Sequence, residues 1–317
     1  MKLVTVCVAL VFCSFVHSSI EASSPGIGNG LWRTFNLAAL ISSLPFTARE
    51  AEKQKWQRMS PACEQERGFR YALKSSQSDF PSPQKNSPLT LYFTAGGQLS
   101  GVAVNVYGSA AAPATLIQKG YWIPVPGREP EFTLSLSFRN SSIMCSGDTS
   151  PEVIGDRVVI NQGTLSQSIP LTAQAASCQK WTAGSCMRTM GQHWFYDVAT
   201  APVLSFQSQN LLPVVPMYWP NNINGTLSAI FFTTPLDQPG SNHLLNGPGD
   251  WEMPALSPSN MCQNFCNDGT CQWPGVKSWG TMHIYFNSQW SNIKCPGGAG
   301  PVGRYCPATP INYQCPK

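Results

Sequence analysis

The chain reads as a mainly β protein: an antiparallel sandwich or barrel-like domain with a short N-terminal helix and a disulfide-rich, turn-rich C-terminal segment. Three observations predict it. Short runs alternate apolar with polar residues, as in "EFTLSLSFRN". Proline and glycine, 27 and 26 residues of 317, punctuate those runs at close intervals, as β folds with many turns require. Six cysteines crowd beyond residue 260, where little helix or strand pattern would hold the chain without bridges.

The elements follow in chain order. Residues 1–18 have the make-up of a secretory signal peptide, with Lys2 before the apolar run Leu3–Val16 and small residues that place cleavage after Ser18. The run is shorter than the roughly 20 apolar residues that cross a bilayer, so a secreted, extracellular protein without a membrane span is expected. Residues 19–88 form an N-terminal segment with one helix, "TAREAEKQKWQRM". Thr47 caps it, Glu50 stands three residues on as in a capping box, and Ser60-Pro61 stops it.

Residues 89–235 form the antiparallel β domain. "LTLYFTAGGQLSGVAVNVYG" holds two β-rich runs around Ala95-Gly96-Gly97, a hairpin signal. In "EFTLSLSFRN" the residues Phe132, Leu134, Leu136 and Phe138 face one way and Thr133, Ser135 and Ser137 the other, the period of a half-buried strand. "VIGDRVVI", "LSAIFFTT" and "MHIYFNSQW" repeat the theme. Residues 236–317 form a cysteine-rich subdomain or cap.

Without the leader, ten cysteines remain: Cys63, Cys145, Cys178, Cys186, Cys262, Cys266, Cys271, Cys295, Cys306 and Cys315. An even number in an oxidising compartment implies five disulfides and no spare thiol. Spacing leaves the pairing open, with Cys178–Cys186 as one local candidate. "NSS" at Asn140 and "NGT" at Asn224 are glycosylation sequons, whereas proline excludes "NSP" at Asn86.

Charged residues are 11% of the chain, against about 25% in ordinary soluble domains. The formal net charge of +4 becomes +3 without Lys2, too weak and scattered for a nucleic-acid or anionic-membrane partner. Serine-nucleophile and zinc-protease motifs are missing from the sequence. "GIGNG" at Gly26–Gly30 lacks the strand and glycine spacing of a phosphate loop. Cys262, Cys266 and Cys271 suit a disulfide knot better than a zinc site. Asp250 and Glu252, flanking Trp251, are the candidate carboxylate pair for sugar chemistry or binding, with a core-plugging tryptophan as the plainer reading.

Three histidines follow the leader: His193, His243 and His283. The densest set of chemistry-bearing side chains is "GSCMRTMGQHWFYDV", residues 184–198. As a strand it puts His193, Phe195 and Asp197 on one face and Trp194, Tyr196 and Val198 on the other. His193 oriented by Asp197 is the candidate catalytic pair, and a buried strand of ordinary core explains the same residues. The sequence therefore points to a secreted, disulfide-bonded glycoprotein with a recognition or structural role, such as a matrix, mucus, egg-coat or defence component. An extracellular protein or glycan is the expected partner, and no cofactor is expected. The alternative is a secreted hydrolase or metalloenzyme centred on His193 and Asp197, with His283 or His243 as further members of the site, since three histidines can hold zinc or copper.

Overall fold

The computed structural model describes residues 31–35, 40–74, 86–108, 112–127, 130–147, 154–162, 165–196, 212–220, 225–236, 278–286, 292–295 and 304–305. Six strands come first: β1 (Leu31–Phe35), β2 (Leu40–Leu44), β3 (Trp56–Arg58), β4 (Phe69–Lys74), β5 (Asn86–Phe93) and β6 (Leu99–Tyr107). Four follow: β7 (Ile123–Pro124), β8 (Glu131–Ser137), β9 (Val158–Gln162) and β10 (Leu165–Ile169). The rest are β11 (Trp181–Met187), β12 (Gly191–Tyr196), β13 (Val214–Tyr218), β14 (Leu227–Leu236), β15 (Ser278–Tyr285) and β16 (Arg304–Tyr305). Four short helices intervene: α1 (Ala48–Lys53), α2 (Ala114–Gln118), α3 (Ser141–Met144) and α4 (Ala173–Ser177).

The strands form two eight-stranded sheets. The first runs β16-β11-β12-β13-β14-β15-β1-β2, and the second runs β10-β9-β8-β6-β5-β4-β3 with β7 paired to β8. Every pair among the described strands is antiparallel. Strands from residues 31–74 and from beyond residue 277 therefore complete the same sheets as those of residues 89–235.

One hydrophobic cluster draws on both sheets. The second contributes Leu91, Val102, Val104, Leu134 and Leu136, and the first contributes Trp194, Ile230, Phe232, Met282 and Ile284. Alternation makes this work, because each strand sends every second side chain inward. Phe138 and Phe286, one residue beyond β8 and β15, meet edge to face at 5.6 Å between centroids. That geometry matches the quadrupoles of the rings, and it joins the two sheets directly.

The opposite faces depart from a half-buried pattern. Ser135 and Ser137 of β8 are buried along with Thr90, Tyr92, Ala103 and Asn105 on neighbouring strands. Part of the cover is the segment before β4. Ser100 donates to the Arg67 carbonyl, Ser137 donates to the Glu66 carbonyl, and Cys63 is bonded to Cys145. Small polar residues suit that position because the Ser100 and Ser137 hydroxyls find backbone acceptors, which a buried hydroxyl needs. Asn105 Nδ2 donates to Thr90 Oγ1 at 3.3 Å in the same layer.

The helix expected from "TAREAEKQKWQRM" is shorter than its pattern. Its N-terminus has both capping-box bonds, with Glu50 N–H donating to Thr47 Oγ1 and Thr47 N–H donating to the Glu50 carboxylate. It ends at Lys53, and Lys55 at φ 67° turns the chain into β3. The reason is tertiary. Trp56 pairs with Leu73 and is buried in the core cluster, and burying so large a side chain outweighs a few tenths of a kcal/mol per residue of helix propensity.

Phe138→Ala should lower the unfolding free energy by about 3–5 kcal/mol, and Thr47→Ala by about 1 kcal/mol. Urea unfolding with disulfides intact measures both. A cost below about 1 kcal/mol for Phe138→Ala would mean that the inter-sheet contact is dispensable.

Candidate functional site

Residues 184–196 form most of the β11–β12 hairpin. The register runs Trp181↔Tyr196, Thr182↔Phe195 and Ala183↔Trp194, then shifts to Cys186↔Gln192 and Met187↔Gly191. The shift is a bulge around Gly184, and the Gln192 side-chain amide donates to the Gly184 carbonyl, filling the gap in the ladder. The turn between the strands carries Thr189 at φ 68°, a costly conformation for a β-branched residue. Its N–H donates to the Ile293 carbonyl at 3.0 Å. Gly191 has φ 103°, and a Cβ there would stand 2.6 Å from the Tyr218 carbonyl oxygen, so only glycine fits.

The two faces of β12 have different neighbours. Trp194 meets Tyr218 edge to face at 5.8 Å, and Tyr196 meets Trp181 at 5.1 Å, all within or against the shared core. His193 and Phe195 point the other way, outside that cluster. They are enclosed nonetheless: His193 is 5% exposed. Its ring lies 5.5 Å from that of Phe231, which lies 5.3 Å from His283. His283, also 5% exposed, stacks on Tyr285 at 6.5 Å. Val215, Met217 and Ala229 complete this buried outer layer of the first sheet.

His193 and His283 therefore share a layer but not a site. They stand on β12 and β15, three strands apart in the sheet order, and the Phe231 ring packs against both imidazoles between them. Two nitrogens on one zinc must each come within about 2.0–2.1 Å of it, and this arrangement does not bring them there. Among the described residues no group of three or more His, Cys, Asp or Glu side chains could hold a metal ion. Asp197, His243, Asp250, Trp251, Glu252, Asn224, Cys262, Cys266, Cys271, Cys306 and Cys315 lie outside the described residues.

The local pairing Cys178–Cys186 is not formed. Cys186 is bonded to Cys295, 109 residues away, and Cys63 to Cys145, 82 residues away. Cys178 follows α4, whereas Cys186 lies near the far end of β11. There the 292–295 segment runs beside the hairpin turn, and it brings Cys295 to a Cα distance of 5.8 Å, within the range that a bridge needs. Cys178 is itself disulfide-bonded, to a partner outside the described residues. The 292–295 segment is thus fixed to the hairpin by the Cys186 bridge and the Thr189 bond. β16 pairs along the same strand through Cys186↔Tyr305 and Met187↔Arg304. None of these long-range partners leaves a mark in sequence spacing.

Asn140 is exposed and caps α3, its Oδ1 accepting from Ser142 N–H at 3.2 Å. That bond uses the oxygen alone and leaves the amide nitrogen, the atom that carries an N-linked sugar, outside the cap.

Burial also governs the tyrosines. Tyr218 is fully buried and donates to the Pro170 carbonyl at 2.7 Å, and desolvation raises its pKa well above the ordinary value of 10.0. Desolvation raises Tyr92 as well, opposed by Arg67. A raised folded-state pKa means that the stabilisation is fully present below about pH 10 and is lost as pH climbs through the folded values. Unfolding free energy should therefore fall steadily above about pH 10. Tyr218→Phe should shrink that slope and cost about 1 kcal/mol at neutral pH, as measured by denaturant unfolding between pH 7 and pH 11. An unchanged slope would remove Tyr218 as its source.

Comparison with protein-family models, curated proteins and solved structures finds no match to this chain.

Proposed function

We propose that this chain is a secreted, disulfide-stapled and N-glycosylated protein with an extracellular recognition or structural role, built as a sandwich of two packed sheets. Its partner is an extracellular protein or a glycan. The observation that carries the reading is the enclosure of His193. A general base needs its nitrogen within about 2.6–3.2 Å of the proton it takes, and the His193 ring lies against Phe231 in a buried layer. That is the environment of a packing residue. Bridges across 82 and 109 residues support the extracellular setting, because such cystines persist where the medium is oxidising. The exposed Asn140 cap supports the glycoprotein assignment.

The competing reading, a hydrolase or metalloenzyme around His193 and Asp197, separates cleanly by experiment. Elemental analysis of the purified protein, before and after chelation and remetallation, should show no stoichiometric zinc or copper. One equivalent of metal that is lost on His193→Ala would sink the proposal. Alkylation of the secreted protein without reduction should label no cysteine, and a single labelled thiol refutes five bridges. Enzymatic deglycosylation should lower the mass, and Asn140→Gln should remove the part of that shift due to this site. No mass shift would end the glycoprotein assignment.

The Cys186–Cys295 bridge closes the longer of the two described loops. The double variant Cys186→Ala/Cys295→Ala should lose about 4–5 kcal/mol of stability by loop-closure arithmetic. A loss near zero in urea unfolding would show that the hairpin holds residues 292–295 without the bridge.

A further inference from the structure

The second sheet ends in β10, and among the described residues that edge has no charge, no bulge and no covering strand; Pro170, just past its end, is the one such feature beside it. β10 pairs along its whole length with β9, from Leu165↔Gln162 to Ile169↔Val158. No hydrogen bond joins its backbone to any other described strand. Natural edges are blunted by charges, prolines, bulges or covering segments. The opposite edge, β3, has such guards: Lys53, Lys55 and Arg58 are exposed on or beside it. β10 reads "LSQSI", its pairing has no register shift, and residues 158–179 contain no charged side chain. Ser166 and Ser168 are exposed.

The strand is also self-complementary. Read in either direction it is apolar, serine, glutamine, serine, apolar. An antiparallel pair centred on Gln167 would set Leu165 against Ile169, Ser166 against Ser168 and Gln167 against itself. A two-fold interface demands that kind of pairing, since the same patch serves both copies. Gln167 is held from inside the sheet: its Oε1 accepts from the Tyr121 hydroxyl at 2.7 Å and its Nε2 is buried, so the backbone and the two exposed serines are what the edge offers to a second strand.

We propose that β10 pairs antiparallel with β10 of a second copy of this chain, about a two-fold axis at Gln167. The pairing joins two eight-stranded sheets into one of sixteen strands. About four to six backbone hydrogen bonds form, depending on which residues turn their amides outward. A contact built on five residues per copy belongs to the small, reversible class of interface, so the dimer exchanges with monomer as concentration changes. The proposal holds for a structural and for a ligand-binding role alike.

Sedimentation equilibrium of the secreted, disulfide-intact protein tests it. The wild type should show a concentration-dependent monomer–dimer equilibrium. Ser166→Lys/Ser168→Lys places lysine directly opposite lysine twice and should weaken association about tenfold or more. Ser166→Glu/Ser168→Glu should do the same, and an equimolar mixture of the two variants should associate at least as tightly as the wild type. Both serines are exposed, so matching thermal unfolding curves will show that the variants remain folded. Three outcomes overturn the proposal. They are a wild type that stays monomeric to its solubility limit, a lysine variant that dimerises as tightly as wild type, and a mixture that stays monomeric.

Discussion

The contact between the inward faces of the two sheets is the constraint on which the rest of the molecule depends. Leu91, Val102 and Leu134 from one sheet and Trp194, Ile230 and Phe232 from the other form a single apolar cluster, with Phe138 against Phe286 where the sheets meet. Each of these side chains contributes about 1.5–3 kcal/mol on leaving water. Their alternation along the strands then forces everything between them onto the opposite faces. The position of His193 is a consequence: Trp194 must face the core, so His193 cannot.

Those opposite faces are where the protein departs from a simple half-wet sheet. In the second sheet they carry small polar residues whose hydroxyls bond to the segment before β4. In the first they carry His193, Phe231, His283 and Tyr285, which pack ring on ring. A histidine in such a layer contributes chiefly as a flat, partly polar ring. Its value to the fold lies in shape and contact.

Disulfides complete what the core does not reach. Cys63–Cys145 closes the segment before β4 over the second sheet, and Cys186–Cys295 ties residues 292–295 to the β11–β12 turn. The second bridge lies beside the strained Thr189 and the Gly191 position that excludes any side chain. A hairpin tip held at three points can keep a conformation that would relax if it were free. Cys186, Thr189 and Gly191 thus serve to anchor the turn.

The amino-acid sequence by itself determined the elements whose causes are local. Alternation in "EFTLSLSFRN" marked β8, Ala95-Gly96-Gly97 marked the β5–β6 hairpin, and Thr47 with Glu50 marked the start of α1. Only the tertiary structure decided what depends on distant partners. It ended α1 at Lys53, because Trp56 is buried against the core. It paired Cys186 with Cys295, because the 292–295 segment lies against the β11–β12 turn. It set Phe231 between His193 and His283, because register across four strands is fixed by packing and not by spacing along the chain.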